Sequence, residues 1–184
     1  MNDVDIREEL VVWLDSRYEK VRVFDELMIG KSRADIVAVT DCLTGYEIKG
    51  DADSYVRLPT QTKMYDWYFQ RNFLVIGKSH RKSAEEHVPP HWGILCFRKT
   101  ESGFETELMR DSQPNPKFKL AKQMSLLWRN ELAHIQKQNA LPTYRGKRKS
   151  FVIGQITASV PQEQLFAQIC DELFERDYTK YRNV

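Results

Sequence analysis

Residues 33–49 read R-A-D-I-V-A-V-T-D-C-L-T-G-Y-E-I-K, and their pattern decides the fold. Residues 33–40 are nearly all apolar, residues 41–45 carry turn formers, and residues 46–50 resume an alternating pattern. Two strands joined by a turn are expected. Alternation puts Glu47 and Lys49 on one face of the second strand while Ile48 points into the core. Asp35 is the anomaly of the first strand, because an acid there is costly to bury without a cation or donors. Arg33 or Arg22 would serve as a plain ion-pair partner. The alternative is that Asp35, Glu47 and Lys49 converge at one sheet edge. Two acids and a lysine so placed meet the needs of a metal-dependent phosphodiesterase. Mg²⁺ takes hard oxygen ligands and keeps several waters, which suits Asp35, Glu47 and the backbone carbonyl of Ile48. Lys49 would orient or deprotonate a water and counter charge on the phosphate.

Upstream, Asp5 is expected to cap a helix over residues 6–18 with Ile6, Leu10, Trp13 and Leu14 as its buried stripe. Glu9 lies about 60° from Ile6 on the border of that stripe, whereas Glu8 falls nearer the opposite face. Both acids also suit the positive end of the helix dipole. Residues 21–28 read as a strand with a polar break at Asp25-Glu26, followed by a turn at Gly30-Lys31-Ser32. Glu26 then lies across a hairpin from Asp35, so Glu26 and Glu9 compete as a further metal-binding acid.

Downstream, a polar loop at residues 51–54 leads to a helix over 58–71. Pro59 suits its first turn, and Gln61 and Tyr65 share a face. The apolar strand 73–77 follows, and strand, helix, strand implies a parallel pair. His80, His87 and His91 fall around a charged loop or short helix over 78–90 and are expected at the surface. Strand 92–98 turns at Ser102-Gly103 into an antiparallel partner. Beyond the P-N-P break at 114–116, a long helix is expected over 120–138 with Met124, Leu127, Trp128, Leu132 and Ile135 as its stripe. The basic run Y-R-G-K-R-K at 144–149 suits a phosphate-contacting loop or a solvated linker. A final helix opens at Ser159-Val160-Pro161 and runs to Asp177. Its stripe of Leu165, Ile169 and Leu173 is a candidate for core packing, partner binding or homodimer formation.

The 184 residues are 41% hydrophobic and 29% charged, an ordinary composition for a folded domain, and the net charge of +2 says little about partners. Cys42, Cys96 and Cys170 show no metal-ligand spacing and are expected as reduced thiols. No apolar run reaches about 18 residues and the first ten residues do not read as a signal peptide, so a cytoplasmic protein without membrane association is expected.

Taken together, the Asp35 strand, the Glu47-Ile48-Lys49 strand and the Gln61-x-x-x-Tyr65 helix resemble the PD-(D/E)xK nuclease superfamily. R-A-D-I, G-Y-E-I-K and R-L-P-T-Q-T-K-M-Y are similar to a small bacterial and phage branch of it. Ala34 stands where the family often has proline, and the likeness covers roughly residues 5–98. It implies an α/β restriction-endonuclease-like core of order α-β-β-β-α-β, a mixed central sheet flanked by helices, with an added β-hairpin and C-terminal helices. The nuclease-like core would occupy residues 1–110, and 111–184 would form a helical extension packed on it in one domain. Asp35 and Glu47 would bind Mg²⁺ or Mn²⁺, Lys49 act on the water, and Gln61 position it or the phosphate. Arg33, Arg57, Tyr65, Arg145, Lys147, Arg148 and Lys149 are candidates for contact with nucleic acid, foremost DNA, with support of Gln61 or packing as the other role for Tyr65. The implied activity is DNA hydrolysis in repair, recombination or phage-related defence. The alternative is a non-cleaving nucleic-acid-binding or assembly module on the same fold.

Overall fold

Asn2 starts the first helix, α1 (Asp3–Arg17). Its side chain accepts the amide of Asp5 at 2.8 Å, so Asn2, and not Asp5, is the cap. The computed structural model describes residues 1–101 and 103–178; Ser102, half of the expected Ser102-Gly103 turn, lies outside the described residues. Helical spacing lets α1 bury Ile6, Leu10 and Leu14 on one side. Those side chains meet Ile36, Ala38, Tyr46, Ile48, Phe73, Val75, Leu95 and Phe97, with Trp13 partly buried against the same cluster. The eight partners come in pairs two residues apart, as one face of a sheet requires. Truncating Leu10 to alanine in this cluster would cost about 2–5 kcal/mol.

The sheet has six strands in the order β1-β2-β3-β4-β5-β6. They are β1 (Arg22–Ile29), β2 (Ser32–Val39), β3 (Leu43–Lys49), β4 (Arg71–Gly77), β5 (Gly93–Thr100) and β6 (Gly103–Arg110). The β1/β2, β2/β3 and β5/β6 pairs are antiparallel, whereas β3/β4 and β4/β5 are parallel. Helix α2 (Leu58–Tyr68) makes the β3–β4 crossover, with Pro59 in its first turn. The first six elements therefore run α-β-β-β-α-β in a mixed sheet flanked by helices, the order expected from the sequence, with an added β5–β6 hairpin. A side-chain carbon at Gly45 would collide with the Phe69 ring and lie 2.8 Å from Tyr65, so this glycine is what lets α2 lie close on the sheet. Between β4 and β5 stand a short 3₁₀ turn, Lys78–His80, and the four-residue helix α3 (Ala84–His87).

The chain divides into two compact units, Met1–Lys119 and Leu120–Val184. In the second, the single helix expected over 120–138 is two: α4 (Leu120–Met124) and α5 (Arg129–Gln138). The break has a physical cause. Trp128 is extended, and Glu131 Oε2 accepts its amide at 2.6 Å, which opens a new helix in the manner of half a capping box. Residues 149–159 form a helix that the sequence pattern did not suggest, α6 (Lys149–Ser159). Its β-branched residues and central Gly154 are weak helix formers, and burial of Val152, Ile153 and Ile156 supplies what propensity lacks. Helix α7 (Gln162–Phe174) follows with Leu165, Ile169, Cys170 and Leu173 buried. Arg176 donates to Glu131 at 2.7 and 2.6 Å, a buried ion pair that ties the end of the unit to α5. Cys42, Cys96 and Cys170 form no disulfide. Among the described residues no helix is long and apolar enough to cross a membrane.

Candidate functional site

The site begins where β2 separates from both neighbours. The β1–β2 ladder pairs Asp25 with Ile36 and Leu27 with Ala34 but skips Glu26 and Asp35 between them. Glu26 takes a φ of +53° there, uncommon for a residue with a side chain. On the other side the β2–β3 pairing stops at Ile36 and Tyr46, one step short of Asp35. Asp35 thus sits in a fork, and its polar groups need partners from elsewhere. Its amide donates to Tyr65 Oη at 3.0 Å. Its carbonyl accepts Arg7 Nη1 at 2.8 Å, and its Oδ2 accepts the amide of Ile48 at 2.8 Å. The N–H and C=O of one strand residue point the same way, so the Ile48 carbonyl also faces the fork.

Glu47 is wholly buried and Lys49 is 5% exposed. Lys49 Nζ donates to Glu47 Oε1 and, at 3.2 Å, to Gln61 Oε1 from α2. The Tyr65 hydroxyl approaches Glu47 but gives its proton to the carbonyl of Tyr46 at 3.2 Å. Glu47 Oε2 is left without a hydrogen-bond partner. Burial, reinforced by the charge of Asp35, pushes the Glu47 carboxyl up to about 7 against the pull of Lys49. Burial also raises Asp35, opposed by the Ile48 amide and by the charges of Lys49 and Arg7. The fork is therefore an acidic pocket with too little positive charge for both carboxylates to ionise freely.

The structure brings Asp35, Glu47, Lys49 and Gln61 together, and of the two roles open to Tyr65 it selects packing. Tyr65 is fully buried, so it is no contact for nucleic acid; its hydroxyl links Asp35 to Tyr46 and holds β2 against β3. Glu26 is turned to Arg33 at 3.0 Å, with both side chains about half exposed. Among the described residues no three His, Cys, Asp or Glu side chains gather closely enough to hold an ion, so neither Glu9 nor Glu26 joins Asp35 and Glu47. A site of two carboxylates and a carbonyl excludes zinc-type ligand sets and suits a cation that keeps most of its waters.

Arg57 precedes α2 and is exposed. In the second unit Arg145, Lys147 and Arg148 are exposed, whereas Lys149 is half-buried and donates to the carbonyl of Ser125 at 2.6 Å. Lys149 is the first residue of α6, so the basic run is a loop only as far as Arg148.

Two features escaped the sequence reading. Arg7 holds Asp3 Oδ1 at 3.0 and 3.2 Å, bonds Asp25, and stands 3.8 Å from Asp35 Oδ1. Its only signal was a base beside the stripe residue Ile6 and four positions after Asp3. Asp66 is 1% exposed, and its Oδ1 accepts His91 Nε2 at 2.9 Å, Trp92 Nε1 at 2.8 Å and Asn72 Nδ2 at 3.3 Å. His91 is accordingly buried and not a surface residue. His80 is half-buried with Nε2 2.9 Å from the Gly50 carbonyl, and of these three histidines His87 alone is exposed.

The site is thus a fork in a mixed six-stranded sheet flanked by helices, lined by two acids and a lysine. The chain belongs to the bacteriophage P4 protein cII family, whose sequence profile matches residues 1–183. Protein cII of Enterobacteria phage P4 is 21% identical over 145 residues, which cover 75% of this chain and 54% of that protein. The chain thus spans about half the length of that relative. SfsA of Pyrococcus furiosus, solved in complex with Ca²⁺, is 16% identical with a TM-score of 0.32, covering 60% of this chain and 61% of that one.

Proposed function

We propose that this chain is a metal-dependent nuclease of the PD-(D/E)xK kind, hydrolysing phosphodiester bonds in DNA with Mg²⁺ or Mn²⁺. One observation carries the reading: the wholly buried Glu47 carboxylate lies within reach of the charge of the partly buried Asp35, and its Oε2 accepts no hydrogen bond. A buried, unpartnered carboxylate oxygen is costly, and a divalent cation between Asp35 and Glu47 would remove the cost. Asp35, Glu47 and the Ile48 carbonyl would hold that ion. When bound, it supplies charge stabilisation at the phosphate and acidifies a water.

The chain's own residues do the rest. Lys49 Nζ has three protons. Glu47 and Gln61 take two, which leaves the third for the attacking water or a phosphate oxygen. Tyr65 and Arg7 hold the backbone of Asp35 in place. Exposed Arg33 and Arg57 flank the fork along the chain and are suited to phosphate contacts, as are Arg145, Lys147 and Arg148 in the second unit. Membership of a phage protein family favours a phage-related process over housekeeping repair.

Purified protein is expected to cleave or nick DNA with Mn²⁺ or Mg²⁺, and Asp35→Ala and Lys49→Ala to abolish cleavage. Equal cleavage by wild type and both variants would reveal contamination and sink the proposal. Salt-sensitive DNA binding with no metal requirement and no cleavage would instead identify a binding module.

A further inference from the structure

The far side of α2 carries a second polar cleft with no part in the fork. Positions 59, 62, 63, 66 and 67 lie roughly 100–240° around the helix from Gln61, so they face away from Lys49. Pro59, Thr62, Lys63, Asp66, Trp67 and Lys117 line a cleft of about 370 Å³, within the range of small-ligand sites. Its outer wall is fastened to the helix. Asn115 Nδ2 donates to the carbonyls of Asp66 and Phe69 at 2.8 and 2.7 Å, and the Lys119 amide donates to the carbonyl of Trp67 at 3.2 Å.

Three ammonium groups converge here. Lys119 Nζ lies 4.6 Å and Lys63 Nζ 5.3 Å from the centre of the Trp67 ring. Lys117 Nζ stands 3.5 Å from Asp66 Oδ2. That oxygen has no hydrogen-bond partner, although Asp66 is 99% buried and its other oxygen accepts three donors. Lys117, with its side chain 61% exposed, is a movable cover over it.

We propose that this cleft binds a nucleotide, with the base stacked on Trp67, the phosphate on Lys63, Lys117 and Lys119, and a base or sugar N–H or O–H donating to Asp66 Oδ2. Each element of the cleft has a counterpart in that ligand. The lysines call for an anion, the indole for a flat ring, and the orphaned carboxylate oxygen for a donor. An acidic peptide offers no flat ring to the indole, and a duplex keeps its bases paired. The nucleotide comes either free or as part of a single strand.

The test uses the full chain in EDTA, so it is independent of cleavage and of the residues at the fork. Fluorescence anisotropy would follow a labelled twelve-nucleotide oligo-dA, an abasic strand of the same length, and competition by AMP. Oligo-dA is expected to bind about tenfold or more tightly than the abasic strand, and Trp67→Ala to erase that difference. Lys117→Glu, a surface change that leaves the helix packing intact, should weaken oligo-dA binding at low salt and flatten its salt dependence. Competition by AMP assigns the cleft to free nucleotides; binding of oligo-dA that AMP leaves untouched assigns it to a strand. Equal binding of the two strands, or unchanged binding by both Trp67→Ala and Lys117→Glu, would overturn the proposal. Loss of the nuclease reading by the Asp35→Ala test would leave these results standing.

Discussion

Glu47 should make the metal-free protein less stable as pH rises. In the unfolded chain its carboxyl titrates near the ordinary 4.5, whereas burial and the charge of Asp35 hold it at about 7 in the fold. Below the lower value both states are protonated and nothing is lost. Between the two values the folded chain keeps a proton that the unfolded chain has released, so stability falls with pH. Above the upper value the full cost is in place. The separation between 4.5 and about 7 corresponds to about 3 kcal/mol, a sizeable part of the 5–15 kcal/mol typical of a domain.

Urea unfolding in EDTA, followed by circular dichroism from about pH 5 to about pH 8, measures this. Other groups titrate across the same range, so the comparison is with Glu47→Gln, which keeps the shape and removes the titration. The stability of wild type relative to the variant should drop by about 2–3 kcal/mol across that interval. Added Mn²⁺ should reverse the trend, because the ion binds the ionised carboxylate and its affinity rises with pH. A wild-type-minus-variant difference that stays flat with pH would refute the account of Glu47 as an under-compensated buried acid.

Three further outcomes are expected. Tyr65→Phe removes the partner of the Asp35 amide and the donor to Tyr46; it should cost about 1–3 kcal/mol in denaturant unfolding and weaken Mn²⁺ binding by calorimetry. Arg7→Gln removes a charge that pulls the Asp35 carboxyl down, so the pH at which Mn²⁺ binding is half lost should move upward, readable from titrations at several pH values. Arg176→Met strands Glu131 in the second unit, where the pair is buried to 2% and 5% exposure; thermal unfolding should show a loss of about 3–5 kcal/mol, restored in part by adding Glu131→Gln.

The site strands were legible because their signals are local. Strict alternation fixed Glu47 and Lys49 on one face, and an acid inside an apolar strand marked Asp35 before any partner was known. Gln61 came from the resemblance of Gln61-x-x-x-Tyr65 to the superfamily's helix, and helical spacing added only that the two share a face. What the sequence could not carry were groups whose roles depend on ladder details. The skipped pair at Glu26 and Asp35 frees a backbone carbonyl that Arg7 reaches, and no spacing rule forecasts that. Tyr65 was placed correctly on its helix face, yet its depth comes from the close approach that Gly45 permits. The second unit was read least well. Trp128 and Glu131 begin a helix inside a continuous apolar stripe, and α6 forms from residues whose propensities argue against it.

The fork at Asp35 has a consequence for how the protein comes into being. Its amide, carbonyl and carboxylate are held by three elements drawn from distant parts of the chain: Tyr65 of α2, Arg7 of α1 and Ile48 of β3. Sheet formation alone leaves the aspartate loose, and so does docking of either helix without the other. The acidic pocket therefore exists only once α1, α2 and the sheet have all assembled. A partly opened chain carries the same residues without that arrangement, so the cleavage proposed for the site would require the complete fold.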